Sequence, residues 1–272
     1  MAQVDTELVP THVGKIQVRR GGTGPDVVYL HSAQGEGEGL EFLDLLADSV
    51  SLIAPMSPGF GESEGLDQID DMEDVAFHLL DLFDELGLEA PTVAGLSLGG
   101  WMAAELATRY PDRVGKLILV NPAGLYIEGA EIADIFGRSP AEMAADLYYD
   151  QSHPVAQLML AMSEFRADFS ITPKVTFEMI QPIAQTMAAT ARLGWDPYLH
   201  NPKLRRRLWR ISAPTLVVHG AHDGLIPAAH AEAYAEEIEG AQLVEMEEVA
   251  HMIPLEKPAE LASVIADFAL GD

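Results

Sequence analysis

The chain has 272 residues, a formal net charge of −27 and no cysteine, and hydrophobic residues make up 48% of it. This length suits one large domain, and the excess of acid argues against nucleic acid and anionic membranes as partners, because phosphate binding needs clustered cations. Without cysteine, neither a disulfide nor a thiolate metal site can form.

Two features of the sequence bear on location. No apolar run approaches the roughly 18 residues that a membrane-spanning helix needs. Residues 1–10 are polar and acidic and lack the layout of a secretory signal, which favours a cytoplasmic protein. The one basic run, residues 203–207, is expected to form a solvated helix face that pairs with nearby acids. The acidity fits either an ordinary acidic enzyme or one adapted to high salt.

The first half of the chain alternates between predicted strands and helices. Residues 13–20 alternate as an antiparallel strand does, and the apolar runs at 26–31 and 50–54 are typical of buried strands. Apolar residues at helical spacing predict helices over 40–48 and 71–86. Strands that alternate with helices indicate a parallel sheet wrapped by helices.

A predicted strand at 92–96 runs directly into a Gly-x-Ser-x-Gly pattern centred on Ser97, and a helical pattern follows over 101–110. A serine on such a tight strand-to-helix turn presents its hydroxyl above the sheet, and the turn leaves no room for side chains at the flanking positions. The helix dipole favours negative charge at the same point. Ser97 is therefore the predicted nucleophile.

After one more strand at 116–121, this alternation stops. Residues 125–209 are rich in Ala, Met, Leu and aromatic residues at helical spacing and contain no convincing strand. Strands are predicted again at 214–219 and 242–246, and each is followed in the chain by a predicted helix, over 227–238 and 258–270.

A serine hydroxyl needs an adjacent base, and the base needs an orienting acid. Asp223 comes just after the strand at 214–219, and His251 comes just after the last strand. Both would lie with Ser97 at the carboxyl edge of a parallel sheet, where such folds place their sites. Asn121 occupies an alternative position for the acid, but an amide does not stabilise an imidazolium as a carboxylate does.

Three other histidines also follow predicted strands, and their expected roles are structural. We expect His31 to brace its loop and His219 and His222 to support the loop of the acid. The negative oxygen of acyl transfer needs preorganised donors. The backbone N–H groups of Leu98 and Ala33 are the predicted pair. Glycines at positions 35, 37 and 39 permit the chain to approach a substrate closely.

Five segments together resemble the α/β-hydrolase superfamily, and they are residues 30–33, 58–63, 95–100, 220–223 and 251–254. The resemblance implies an α/β-hydrolase fold with a mostly parallel twisted sheet flanked by helices and a helical lid after the sixth strand. It divides the chain into a core of residues 1–124 and 210–272 and a lid of residues 125–209. Ser32 and Ala250 depart from the family, which usually has glycine at both places.

The resemblance also sorts the reactions. Relatives that cleave carbon–halogen bonds or epoxides carry aspartate in place of Ser97. Carbon–carbon hydrolases of the meta-cleavage type usually have asparagine and tryptophan where this chain has Leu96 and Met252. The favoured prediction is a serine esterase that cleaves small to medium apolar carboxylic esters through an acyl-enzyme, with no metal or organic cofactor. Carbon–carbon hydrolysis, cofactor-free peroxidase activity and non-catalytic ligand sensing stay open.

The lid is expected to set specificity. Trp195, Tyr198 and Met252 are the predicted substrate-binding residues. Flexible apolar side chains of the lid suit an acyl or aryl group, and they are Phe136, Met143, Met159, Met162, Phe165, Phe169, Phe177, Met179 and Met187. The sequence leaves a monomer and a homodimer both open.

Overall fold

The computed structural model describes residues 2–36, 40–167 and 177–271, with side chains described except at 164–167 and 177–180. Its strands form one eight-stranded sheet with the order β1-β2-β4-β3-β5-β6-β7-β8. The strands are β1 (Val4–Thr11), β2 (Gly14–Gly21), β3 (Asp26–Leu30), β4 (Ser51–Pro55), β5 (Thr92–Leu96), β6 (Lys116–Val120), β7 (Thr215–Gly220) and β8 (Gln242–Met246). β2 pairs antiparallel with β1 and β4, and every other pair is parallel. The predicted α/β class with a mostly parallel sheet is confirmed.

The helices are α1 (Glu41–Ala47), α2 (Met72–Leu86), α3 (Leu98–Arg109), α4 (Pro140–Leu147), α5 (Pro154–Ala167), α6 (Phe177–Gly194), α7 (Ala228–Glu237), α8 (Ile253–Glu256) and α9 (Pro258–Leu270). Local signals explain where α2 begins and ends. The Asp71 side chain accepts the N–H groups of Glu73 and Asp74, and Gly87 ends the helix with a φ of 70°. A bilayer-crossing segment is absent from the described helices, which are all too short or too polar for one.

Strand β1 is a strand that the sequence pattern did not predict. It lies at the edge of the sheet, and among the described strands it pairs only with β2. Most of its side chains are exposed, Asp5 and Glu7 among them, and Val9 is its one buried residue. A strand with so little buried surface has no apolar alternation for the sequence to show.

The chain leaves the sheet between β6 and β7 and forms α4, α5, α6 and a 3₁₀ helix (Arg205–Arg210). Its exit and return lie side by side, because Gly124 and His200 form an isolated parallel bridge. Two backbone hydrogen bonds hold this bridge, from Gly124 N–H to Leu199 O and from Asn201 N–H to Gly124 O, each 3.0 Å long. The helical character of this inserted segment agrees with the sequence pattern, and its role as a lid stays a prediction.

Candidate active site

Ser97 lies on a sharp turn between β5 and α3. Its φ of 57° and ψ of −111° lie in a region that non-glycine residues rarely adopt. A Cβ at Gly95 would lie 2.2 Å from the carbonyl oxygen of Gly99, and one at Gly99 would lie 2.1 Å from that of Leu30. Glycine is therefore required on both sides of the serine, as expected for a nucleophile elbow.

Asp223 and His251 form a buried pair beyond the ends of β7 and β8. Asp223 Oδ2 lies 2.7 Å from His251 Nδ1, and 2% or less of either side chain is exposed. Asp223 Oδ1 accepts the N–H groups of Leu225 at 2.8 Å and Ile226 at 2.9 Å. The carboxylate is thereby fixed in place, and it holds the imidazole through Nδ1 so that Nε2 is the nitrogen left for proton transfer.

Asn121 joins the loop of the histidine to the loop of the acid. This residue follows β6 with a φ of 40°, and its side chain is fully buried. Its amide nitrogen donates to the carbonyl oxygens of Ala250 at 3.3 Å and His251 at 3.0 Å, and its amide oxygen accepts Gly220 N–H at 2.9 Å. The imidazole bonds to Asp223 rather than to Asn121, whose side chain bonds the backbone instead.

The backbone around Asn121 also holds the elbow. Ser97 N–H donates to Val120 O at 2.9 Å, and Ser97 O accepts Ala123 N–H at 3.1 Å. The residues on both sides of Asn121 are thus bonded to Ser97, while Asn121 itself is bonded to the backbone of His251. The serine, the histidine and the acid therefore lie at one edge of the sheet.

The two predicted donors are backbone N–H groups near this edge. Leu98 is the first residue of α3, and the bond from Trp101 N–H to Ser97 O is the first of that helix. The N–H of Leu98 is therefore one of the groups that a helix start leaves without an intrahelical acceptor. Within the described part of the chain, the N–H of Ala33 has no acceptor either.

The loop that carries Ala33 is held from two sides. Ser32 N–H donates to Glu36 Oε2 at 2.8 Å. The N–H group that precedes Ala33, the predicted oxyanion donor, is therefore already bonded to a carboxylate. On the other side, Thr190 of α6 donates its hydroxyl to Ala33 O at 2.9 Å. Glu36 and Thr190 were not predicted from the sequence, and the glycines at 37 and 39 lie outside the described residues.

The end of α4 contacts the loops that carry Asp223 and His251. Gly224 N–H donates to Asp146 O at 3.1 Å, and Met252 N–H donates to Leu147 O at 3.0 Å. These carbonyls belong to the last turn of the helix, which lacks intrahelical donors. The Asp146 side chain pairs with Arg138 at 2.7 Å, and burial raises the pKa of this carboxyl above its usual value.

Of the other predicted histidines, His31 is held in its loop by hydrogen bonds, whereas the described part of the chain shows no hydrogen bond of the His219 or His222 ring, whose supporting role stays a prediction. His31 Nδ1 lies 2.7 Å from Ser32 O, and its Nε2 accepts Ser57 N–H at 2.9 Å, which fits the bracing role expected for it. Burial lowers the pKa of His31 and of His219. Both are therefore neutral at pH 7, and neither bonds to the carboxylate of Asp223.

The predicted substrate-binding residues differ in exposure and in the hydrogen bonds that they already make. Met252 is buried beside the histidine, and Trp195 is 64% exposed. The hydroxyl of Tyr198 is already used, because it donates to Ala133 O at 2.5 Å and accepts Ile135 N–H at 2.8 Å. Of the apolar residues predicted to line the lid, some lie outside the described side chains, and they are Phe165, Phe169, Phe177 and Met179.

No group of three or more His, Asp or Glu residues in the described part is placed to hold a metal ion.

Comparison with known proteins points to one family. The model of the alpha/beta hydrolase fold matches residues 27–258. The chain is 31% identical to 2-hydroxymuconate semialdehyde hydrolase of Pseudomonas sp. strain CF600, over 82% of this chain and 77% of that protein. It is 28% identical to pimeloyl-[acyl-carrier protein] methyl ester esterase of Nitrosomonas europaea, over 92% and 98% of the two chains.

Two further similarities concern length and shape. The acetoin-cleaving dihydrolipoyllysine-residue acetyltransferase component of Cupriavidus necator is 27% identical over 91% of this chain, which spans only 64% of that longer protein. The solved structure of 2-hydroxy-6-oxo-6-phenylhexa-2,4-dienoate hydrolase from Rhodococcus sp. strain RHA1 superposes with a TM-score of 0.76 at 20% identity. That superposition covers 98% of this chain and 99% of the other, so the fold is shared over nearly all of both chains.

Proposed function

The chain belongs to the alpha/beta hydrolase fold family, and we propose that it is a serine hydrolase that cleaves neutral, small to medium carboxylic esters. Ser97 is the proposed nucleophile, His251 the general base and Asp223 the acid that orients the base. The observation that carries this proposal is the buried 2.7 Å contact between Asp223 Oδ2 and His251 Nδ1 beyond the same sheet edge as the strained serine.

In the first half of the reaction, Ser97 Oγ attacks the ester carbonyl while His251 Nε2 takes its proton. The Asp223 carboxylate stabilises the imidazolium that forms. The imidazolium then gives the proton to the departing alcohol as the carbon–oxygen bond breaks, which leaves the acyl group on Ser97. The tetrahedral oxyanion is bound by the N–H groups of Leu98 and Ala33, and one good donor of this kind is worth about 3–4 kcal/mol.

In the second half, water replaces the alcohol. His251 takes a proton from this water as its oxygen attacks the acyl carbon, and the same two N–H groups bind the second oxyanion. Collapse of this intermediate returns the proton to Ser97 and releases the carboxylic acid. No step needs a metal or an organic cofactor.

The charges near the pair favour a neutral substrate. Asp146 is close enough to interact electrostatically with both Asp223 and His251, and Arg138 is the described cation beside it. Because Arg138 is paired with Asp146, it offers no free positive charge to a substrate carboxylate. A chain with a net charge of −27 also repels anions at longer range. An ester without charge on its acyl part needs no cation in the site and is not repelled by the negative charge of the protein.

Hydrolysis of p-nitrophenyl butyrate by the purified chain tests this proposal. We expect turnover beyond one equivalent, and we expect Ser97→Ala to lower kcat by about 10⁴-fold or more, since the nucleophile and its base act as a unit. Ser212→Ala is the matched control, because this serine is exposed and remote from the triad. Circular dichroism of both variants checks that the fold is intact. A burst of one equivalent without further turnover would contradict an esterase and indicate a ligand-sensing protein.

Carbon–carbon hydrolysis is the second candidate, and the identity of 31% with 2-hydroxymuconate semialdehyde hydrolase favours it. Two positions next to the proposed catalytic residues disfavour carbon–carbon hydrolysis. Leu96 and Met252 replace the asparagine and tryptophan that are usual in carbon–carbon hydrolases of the meta-cleavage type. The same preparation should be assayed with 2-hydroxy-6-oxo-6-phenylhexa-2,4-dienoate. A kcat/KM for this dienoate well above that for the butyrate ester would overturn the esterase assignment.

A further inference from the structure

An arginine-lined cleft lies at the end of α3 that is remote from Ser97. Its volume is about 470 Å³. It is lined by Glu73, Thr108, Arg109, Tyr110, Arg207 and Arg210. Because α3 starts at the nucleophile and rises about 1.5 Å per residue, its last residue Arg109 lies about 18 Å from the elbow. The proposed esterase reaction makes no use of this cleft.

The arginines of this cleft differ from the other described arginines in their carboxylate partners. Each described arginine outside the 3₁₀ helix has a carboxylate partner, and these residues are Arg19, Arg20, Arg109, Arg113, Arg138 and Arg192. Within the 3₁₀ helix, Arg205 pairs with Glu237. No carboxylate of the described part pairs with Arg206, Arg207 or Arg210.

This lack of partners is informative in so acidic a chain. With 43 acidic and 16 basic residues, carboxylates are plentiful, so unpaired arginines do not follow from a shortage of acid. The expectation that the basic run pairs with nearby acids therefore holds for Arg205 and is wrong for Lys203, Arg206 and Arg207, which have no carboxylate partner in the described part of the chain. Of the unpaired residues, Arg207 and Arg210 line the cleft and Arg206 does not.

Contacts inside the cleft hold these groups close together. Arg109 pairs with the buried carboxylate of Glu105. Arg210 donates its Nε to Thr108 O at 2.9 Å, and its terminal nitrogens keep no acceptor in the described part. Burial lowers the pKa of the Arg109 guanidinium and the nearby charge of Arg207 lowers it further, while the carboxylates of Glu73 and Asp71 partly offset this decrease. A bound anion would relieve this repulsion between guanidinium groups.

We propose that this cleft is a binding site for a small phosphate-bearing anion. Guanidinium groups present planar sets of N–H donors that match phosphate oxygens, and the bonds are charge-assisted. The cleft volume falls in the range of small-molecule sites, so it has room for a phosphate together with part of an organic group. Glu73 places one carboxylate in the same cleft, and its charge opposes the anion.

Isothermal titration calorimetry at fixed ionic strength tests the site with two probes, inorganic phosphate and phenyl phosphate. We expect saturable binding with a stoichiometry of one for at least one probe. Arg207→Ala and Arg210→Ala should each weaken binding about tenfold, as expected for loss of a charge-assisted hydrogen bond. Tighter binding of phenyl phosphate would identify a phosphate ester as the ligand, and equal affinities would identify the phosphate group alone; both results support the site.

Four further variants separate a built site from general electrostatics. Arg206→Ala removes the same charge from the same helix outside the cleft and should change the affinity less than about twofold, because exposed charges are screened. Arg207→Lys keeps the charge but loses the planar donors and should still weaken binding. Glu73→Gln should tighten it. Ser97→Ala should bind both probes with the affinity of the wild type, so anion binding in the cleft is tested independently of the proposed esterase activity. Absence of saturable binding, or equal losses in Arg206→Ala and Arg207→Ala, would overturn the proposal.

Discussion

Asn121 carries out a structural task that its residue type alone does not reveal. One buried carboxamide uses both its donor and its acceptor to connect the ends of β6 and β7 with the loop of His251. Such a group is costly to bury unless it is fully bonded, and here both ends are bonded. Its position after a strand makes Asn121 an alternative acid in the sequence. In the structure it positions the histidine backbone instead.

His78 of α2 is a buried titratable group outside the proposed reaction. Its side chain is 2% exposed, and neither ring nitrogen has a hydrogen-bond partner in the described part of the chain. Burial lowers the pKa of His78 from 6.5 to about 4. Between these values the unfolded chain binds a proton that the folded chain does not, so this histidine makes stability fall as pH drops from 6.5 towards 4.

Replacing His78 with leucine, which has a similar volume and no charge, should remove this effect. From pH 7 to pH 4.5 the free energy of unfolding of the variant should fall by about 2 kcal/mol less than that of the wild type. Urea denaturation of both proteins at several pH values measures the difference, and the gap between their stabilities should be constant near pH 8, where the histidine is neutral. Parallel stability curves from pH 8 to 4.5 would contradict the prediction.

Among the elements, α6 joins the inserted segment to the loops that carry Ala33, Gly61 and Ile69. Gln185 donates to Gly61 O at 3.2 Å, and Arg192 donates to Ile69 O. Thr190, which is fully buried, reaches the carbonyl of Ala33. Because that carbonyl belongs to the residue whose N–H is the proposed oxyanion donor, α6 helps to set the orientation of the donor.

Replacing Thr190 with valine keeps the shape of the side chain and removes this bond. The Ala33 carbonyl then loses its partner and the loop relaxes, so we expect kcat for p-nitrophenyl butyrate to fall about tenfold, within what one oxyanion donor supplies. KM should change little, because the donor acts mainly on the transition state. Thr190→Ser restores the hydroxyl and should restore kcat. If valine and serine variants lose the same activity, the hydroxyl is not the cause.

At the scale of the whole molecule, net charge is the dominant physical feature. A charge of −27 disfavours the compact state through self-repulsion, which the described ion pairs offset only locally. Surface pairs contribute little each, so they do not remove this long-range cost. Added salt shortens the distance over which the charges act, to about 10 Å at 0.1 M and about 3 Å at 1 M.

Screening therefore predicts how the melting temperature depends on NaCl. It should rise steeply from 10 mM to about 0.3 M and level off near about 1 M, where screening is nearly complete. Differential scanning calorimetry over this range checks the prediction, with sucrose at matched viscosity as a control for solvent effects other than charge. A melting temperature that keeps rising well above 1 M would show that screening is not sufficient and would indicate adaptation to high salt.

Much of the fold was predictable because its signals are local. The predicted bounds of β8 and α9 match the structure, and the helix predicted over 71–86 begins and ends within one residue of α2. Capping by Asp71 and the left-handed Gly87 are encoded within a few residues of each helix end. Strand β1 was missed since its stability comes from pairing with β2 rather than from its own apolar pattern.

In the candidate site too, local features were predictable from the sequence and contacts between distant segments were not. The amino-acid sequence by itself determined the family and named Ser97, Asp223 and His251, because glycine at a crowded turn and polar residues after strands are read from neighbours in the chain. Only the tertiary structure decided that Thr190 bonds to Ala33 and that Asn121 bonds to the histidine loop, contacts across 157 and 130 positions of the chain. It also decided that Arg207 lines a cleft together with Arg109, rather than pairing with a nearby acid. Contacts between distant segments depend on how helices and strands pack against one another, and the apolar period shows which face of an element is buried but not which residues it contacts.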